Sequence, residues 1–295
     1  MQQCGQVQDR QGFVQAARQG TWAASAYGAT AVRVALRRSG ARRAESAPRS
    51  EERLVFVVGS PRSGTSFTGA ALGSQPGWVD FGEVKPLKAI VPDLAAEPVE
   101  EQAAEIRRIL QRIRTLGLVR RLRGVEQNPE TTFLLAGALR AYPEATAVHV
   151  LRDGRDVVCS LLERGWLRAD RRARDDAGHR FGAHARFWVE PERRDEFERV
   201  SEARRAAWAW RRYVTAAQVA PERTVELRYE ALVASPAAEA GRIAALLGSP
   251  AAPLQQAFAR AHDTSVGRWR EDLTREQLAD VEAEAGGLLA ELGYA

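Results

Sequence analysis

Cysteine is almost missing from this sequence of 295 residues: Cys4 and Cys159 are its only two. Two thiols cannot build a disulfide framework and neither sits at a metal-ligand spacing, which excludes a disulfide-stapled scaffold and a zinc module and points to a reducing cytoplasm. Long apolar runs are missing too. The most apolar early stretch, Gly20 to Leu36, is interrupted by Arg33 and dominated by alanine, so a short helix packed on the domain, a membrane surface or a partner is expected there, not a transmembrane span. The N-terminus lacks the basic start and continuous apolar stretch of a secretory signal. Lysine is scarce: of 43 Lys and Arg residues only Lys85 and Lys88 are lysine. Arginine abundance of that kind reflects base composition and identifies no partner, although it singles out the two lysines that remain. The net charge of +5 is spread along the chain, which argues against a nucleic-acid partner.

The hydrophobic content of 45% and charged content of 27% are those of a soluble globular enzyme with a sizeable core. Residues 1–53 read as an N-terminal helical extension and a polar linker, Arg37 to Arg53, leaving 54–295 as the main domain. Leu54 to Val58 is a continuous apolar run of the kind that forms a strand buried on both faces. A Gly- and Ser-rich turn follows, then an Ala-rich helix to Leu72. Helix over Val99 to Arg121, a short strand at Gly124 to Gln127, and helix from Pro129 to Ala141 continue the alternation. Thr146 to Leu151 reads as strand, Asp153 to Arg164 as helix, Arg193 to Ala217 as one long helix and Arg223 to Arg228 as strand. The last helix is expected from Arg275 to Leu292. Strands interleaved with helices imply an α/β fold, a central parallel sheet with crossover helices. The charged segment Arg168 to Arg194, with His179, His184 and Trp188, reads as an insertion at the site mouth.

Gly59 to Ser66 (GSPRSGTS) keeps the two glycines and final hydroxyl of a phosphate-binding loop but has Thr65 where such loops carry lysine. Consecutive N–H groups at a helix N-terminus still form an anion nest, and Arg62 supplies a fork suited to phosphate or sulfate oxygens. Losing the lysine counts against an ordinary Mg-ATP kinase. A second motif, Leu151 to Ser160 (LRDGRDVVCS), follows another strand, so both can face one crevice at the carboxyl ends of the sheet. Arg155 and Asp156 read as capping and surface ion pairs, whereas Arg152 leaves the strand edge.

The pairing of PRSGTSF with LRDGRDVVCS resembles the sulfotransferase superfamily that uses 3′-phosphoadenosine 5′-phosphosulfate (PAPS), above all its bacterial branch similar to tyrosylprotein sulfotransferases. The resemblance covers about residues 54 to 292 and implies a P-loop-like three-layer fold with helical insertions. It implies that Arg62, Ser63, Gly64, Thr65 and Ser66 hold the 5′-phosphosulfate. Arg152 and Ser160 would hold the 3′-phosphate, with Arg164 in support. Leu227 to Val233 is similar to the segment that places a tyrosine, here Tyr229, near the nucleotide. Val266 to Trp269 is similar to the C-terminal segment whose basic residue, here Arg268, reaches it.

Such a transfer needs in-line geometry, donors for developing charge and a base for the acceptor proton, but no metal. The sequence offers no metal cluster. Glu83, in a Gly-Glu pair common in the resembled family, is a candidate base, with His179 and His184 as rivals. Tyrosylprotein relatives use the next position, which is Val84 here. Relatives also carry a lysine where this chain has Gln127, so Arg62 or Lys85 is left to supply charge at the leaving oxygen. Trp208 and Trp210 point to different faces of one helix, one expected in the core and one at the edge of the acceptor pocket. The acceptor is open among small-molecule, glycan, lipid and natural-product hydroxyls. A nucleotide-dependent kinase and a catalytically inactive nucleotide-binding homologue are the alternatives.

Overall fold

The computed structural model describes residues 24–38, 54–171 and 186–294. A helix over 24–37 (α1) comes first. Then follow β1 (Val55–Val58), α2 (Thr65–Gly73), β2 (Trp78–Gly82), the single turns α3 (Lys85–Lys88) and α4 (Val91–Leu94), α5 (Val99–Leu116) and β3 (Arg123–Glu126). A 3-10 stretch, Pro129–Leu134, leads into α6 (Leu135–Ala141), β4 (Thr146–Leu151) and α7 (Gly154–Arg164). The later elements are α8 (Arg194–Arg199), α9 (Glu202–Ala217), β5 (Thr224–Arg228), α10 (Tyr229–Ala234), α11 (Pro236–Leu247) and α12 (Ala251–Phe258), then α13 (Trp269–Asp272) and α14 (Arg275–Glu291).

The five strands form one parallel sheet in the order β2-β3-β1-β4-β5. Its central strand β1 is buried on both faces, as its unbroken apolar run requires. Val55 and Val57 pack with Leu72, Ile243 and Phe258 in one layer. Phe56 and Val58 pack with Tyr27, Val34, Ile106 and Leu110 in the other. A third apolar body joins α7, α9 and α14 around Val157, Trp208, Trp210, Tyr213 and Leu289. Because all strands run one way, the turns after β1, β2, β3, β4 and β5 open on one edge of the sheet. The loop at Gly59, Glu83, Gln127, Arg152 and Tyr229 all follow those strand ends.

Several elements depart from the sequence expectation, among them the helix expected to reach Arg121, which ends at Leu116. β2 was not foreseen, because Asp80 and Gly82 interrupt its apolar pattern. Asp80 is tolerated inside through an ion pair with Arg37 and by accepting the Gly82 N–H at 2.6 Å. The single helix expected from Arg193 to Ala217 is two: Val200 is extended and Ser201 caps α9 by accepting the Arg204 N–H at 3.0 Å. The Pro129 segment begins as a 3-10 turn and becomes α-helical only at Leu135. The linker at 39–53, Cys4, His179, His184 and most of the Arg168 to Arg194 insertion lie outside the described residues.

Candidate active site

The turn after β1 is shaped by three left-handed residues, Gly59 (φ 135°), Arg62 (φ 73°) and Gly64 (φ 101°). Two of these cannot be other residues without collision. A Cβ on Gly59 would lie 2.5 Å from the Val150 carbonyl oxygen, and one on Gly64 would lie 2.8 Å from Cδ2 of Tyr229. The Gly59 N–H donates to Thr132 Oγ1 at 3.0 Å, and the Ser63 N–H closes the turn onto Ser60 O at 3.1 Å. The N-terminus of α2 therefore opens directly from the loop with Gly64 as a cap that has no side chain, leaving its first N–H groups for an anion. Thr65 is buried and Ser66 exposed in that first turn.

Arginines converge on this loop. Arg62 donates from Nε to Ser160 Oγ at 2.9 Å, and Arg152 donates to the Arg62 carbonyl at 3.2 Å and to the Ser265 carbonyl. The guanidinium of Arg152 lies 4.9 Å from the centre of the Tyr229 ring. Arg62 and Arg164 both lie over Trp166, at 5.8 and 6.0 Å. Partial burial, then the like charges of Arg164 and Arg152, hold Arg62 below the ordinary arginine value. Arg152 Nε and Ser63 Oγ are buried without a hydrogen-bond partner among the described residues. Buried donors of that kind beside clustered cations fit a polyanion such as a nucleotide bisphosphate.

The segment 262–269 crosses this cluster. Tyr229 donates its hydroxyl proton to the His262 carbonyl at 3.0 Å. Asp156, far from making a surface pair, is fully buried and accepts the N–H groups of Gly267 and Trp269 at 2.7 and 3.1 Å. Arg155 pairs with Asp153 at 2.8 Å and stacks 4.0 Å from the Trp269 ring centre. Arg268 itself is paired with Glu163 and Asp272. Trp208 and Trp210 are both fully buried, so neither edges a pocket. Trp210 instead donates to the Arg152 carbonyl at 3.1 Å and packs on Gly154, where a Cβ would approach its ring to 2.7 Å. It props the strand end that carries Arg152.

Glu83 leads a second cluster at the ends of β2 and β3. Its carboxylate, 29% exposed, accepts from Lys88 Nζ at 2.9 Å, and the same ammonium, 1% exposed, lies 3.0 Å from Glu130. Glu126 is completely buried beside them, accepting the Asn128 N–H at 3.0 Å, and burial pushes its carboxyl up to about 8. From the other side, α1 reaches in: Arg33 donates to the carbonyls of Phe81, at 2.9 Å, and Glu83. Lys85 is exposed at the start of α3 and takes no part. Gln127 is buried against α2, where a Cβ on Gly69 would meet its Cγ at 2.9 Å. Sequence reasoning thus missed Arg33, Glu126, Glu130 and the working position of Lys88. Only the lysine scarcity hinted at the last. Among the described residues no group of His, Cys, Asp and Glu could hold a metal ion, and no helix is long and apolar enough to cross a membrane.

Residues 99–253, which include the Arg152 motif and Glu130 but not the Gly59 loop or Glu83, match the family model described as sulfotransferase family. Among solved structures, the sulfotransferase domain from the curacin biosynthetic pathway superposes with a TM-score of 0.51 at 15% identity, covering 80% of this chain and 97% of that one. The sulfotransferase STF9 from Mycobacterium avium gives a TM-score of 0.49 at 13% identity, covering 83% and 77%. The first of these likenesses shows a shared fold. No curated protein matches the sequence.

Proposed function

Because the chain belongs to the sulfotransferase family, we propose that it moves a sulfuryl group from PAPS to an acceptor hydroxyl by in-line displacement. One observation carries the reading: Arg62, Arg152 and Arg164 gather around a glycine-shaped loop at a helix N-terminus, with Ser160 and Tyr229 bonded into the same group. In this reading the loop Arg62 to Ser66 receives the phosphosulfate. Arg152 and Ser160 receive the 3′-phosphate, and Arg164 adds charge. The contacts Arg62 makes to Ser160, and Arg152 to Ser265, are then exchanged for the anion when the nucleotide enters. Arg268 would reach the nucleotide only by leaving Glu163 and Asp272.

Chemistry follows from position and charge. Glu83 accepts the acceptor hydroxyl proton as the new oxygen–sulfur bond forms. The bond from sulfur to the bridging oxygen breaks, and that oxygen leaves on the nucleotide as a phosphate oxyanion. Gln127 brings no charge to that oxygen, so the role falls to Arg62, which belongs to the loop itself and whose guanidinium bonds Ser160. The acceptor is a small-molecule, glycan, lipid or natural-product hydroxyl.

Calorimetry with 3′,5′-phosphoadenosine tests the nucleotide site, with Mg-ATP as comparator. Micromolar binding without magnesium, reduced at least about 100-fold in Arg152→Ala, is expected, since a hydrogen bond to a charged group in a dry site is worth about 1.5–3 kcal/mol and Arg152 makes several. Preference for Mg-ATP would return the chain to the kinases.

A further inference from the structure

Lys88 is an anomaly of composition and of place. The chain uses arginine for all but two of its 43 basic residues, yet it sets a lysine 1% exposed between two carboxylates. A guanidinium is a broad planar fork, whereas an ammonium is a compact charge whose three donors can point at partners on opposite sides. Lys88 does this: 2.9 Å from Glu83 and 3.0 Å from Glu130. Glu130 is itself buried in the 3-10 turn after β3, so its end of the bridge is anchored in the core. Glu83 is the half-exposed member, and Lys88 binds its Oε2.

We propose, building on the sulfuryl-transfer reading above, that Lys88 is the positioning residue of the base: anchored by Glu130, it fixes Oε2 of Glu83 and leaves Oε1 to take the acceptor proton. A carboxylate on a free side chain would sample several rotamers and present either oxygen. Fixed at one oxygen and at its own carbonyl, which accepts from Arg33, Glu83 has one orientation left. The charged and titratable groups facing it are Arg33 on α1, Lys88 on α3, Glu126 at the end of β3 and Glu130 beyond it. Removing the Lys88 ammonium takes away the cation that holds Oε2, so the carboxylate is free to turn and present either oxygen.

The test follows PAPS turnover with excess p-nitrophenol, and with water as acceptor in its absence, over pH 5 to 9. Wild type, Lys88→Met, the double variant Lys88→Met/Glu130→Gln and Glu83→Gln are compared. Lys88→Met is expected to lower kcat about 10-fold or more, less than the ~100-fold or greater loss expected for Glu83→Gln. Its KM for PAPS and its affinity for 3′,5′-phosphoadenosine should stay within about twofold of wild type. The double variant removes the buried carboxylate with its partner, so it folds even if Glu130 left alone does not, and it should show the same kcat loss. If Glu83→Gln loses turnover while the folded lysine variants keep kcat within about twofold of wild type, the positioning role is overturned. If wild type does not turn over PAPS, or Glu83→Gln turns it over normally, the reading beneath it falls as well.

Discussion

Glu126 sits at zero exposure, one residue before Gln127, with the Asn128 N–H and the Thr131 side chain to favour its charge. Burial outweighs both and pushes the carboxyl from an ordinary 4.5 up to about 8. The native protein therefore holds a proton there at pH 7 that the unfolded chain has released. A folded-state value raised in this way contributes stability fully present below about pH 4.5 and lost as the pH climbs towards 8, at no more than about 1.4 kcal/mol per pH unit. Glu126→Gln keeps an oxygen for the Asn128 N–H and cannot ionise. Urea melts at pH 4 and pH 8 should show the variant and wild type alike at the acid end and the variant more stable at the alkaline end. Equal midpoints at both would mean that Glu126 is not buried as an acid. Nothing in the spelling Val125-Glu126-Gln127 announces this, because burial of a carboxylate depends on what covers the strand end. The same holds for the lysines. Lys85 and Lys88 lie three apart on one turn, and only the packing of α3 decides that the second goes inside and the first stays in water. Arg62 stood out from the loop spelling and Arg152 from the strand end it leaves, whereas Ser160 was singled out only by the family resemblance; the structure brings Arg62 and Ser160 within 2.9 Å of each other.

At the scale of elements, the strands β1 and β4 were readable from unbroken apolar runs, since a parallel strand buried on both faces needs nothing else. β2 was not, because its polar Asp80 is neutralised by Arg37, which lies 43 residues earlier in the chain. The junction of α8, α9 and α14 depends on a similarly remote partner. Glu284, with its side chain 1% exposed, lies 3.1 Å from Arg193, 3.4 Å from Arg204 and 2.9 Å from Arg211. Arg193 and Arg204 also pair with Glu196, and Arg211 with Glu190. One acid thus holds the start of α8 and two turns of α9 against α14. Glu284→Ala would leave three guanidinium groups sharing two outer carboxylates, and removing one partner of a buried ion pair costs about 3–5 kcal/mol. The arginines keep some contact with water, so a loss of about 3 kcal/mol in a denaturant melt is expected. Nucleotide affinity should change little, because none of these residues touches the arginine cluster. A loss under 1 kcal/mol would show that the network is surface decoration.

The whole molecule is organised so that the site belongs to no single segment. The loop after β1, the start of α7, the beginning of α10 and the segment 262–269 meet around Arg152, while β2, α3, the turn after β3 and α1 meet around Glu83. Read from sequence, residues 1–53 are an extension with a linker whose short helix packs on the domain, a membrane surface or a partner, because nothing in an alanine-rich stretch says which of these it covers. In the structure Tyr27 and Val34 of α1 lie in the same apolar cluster as Leu54, Phe56 and Phe81, and Arg33 and Arg37 bind the carbonyl and acidic groups between Asp80 and Glu83. A helix attached in this way opens only when the sheet layer beneath it opens, whereas a detachable extension would fray alone. Hydrogen exchange distinguishes the two. The amides of 27–37 are expected to exchange at rates close to those of β1 and β2, and Arg33→Ala should speed exchange at 27–37 and at the segment after β2 together. The coupling is the telling feature: the guanidinium is the only charged group bonding α1 to the Phe81 and Glu83 carbonyls among the described contacts, so cutting it should loosen both ends of one bridge. Fast exchange of α1 in the wild type, with β2 fully protected, would instead separate the helix from the domain and leave Glu83 held by Lys88 alone.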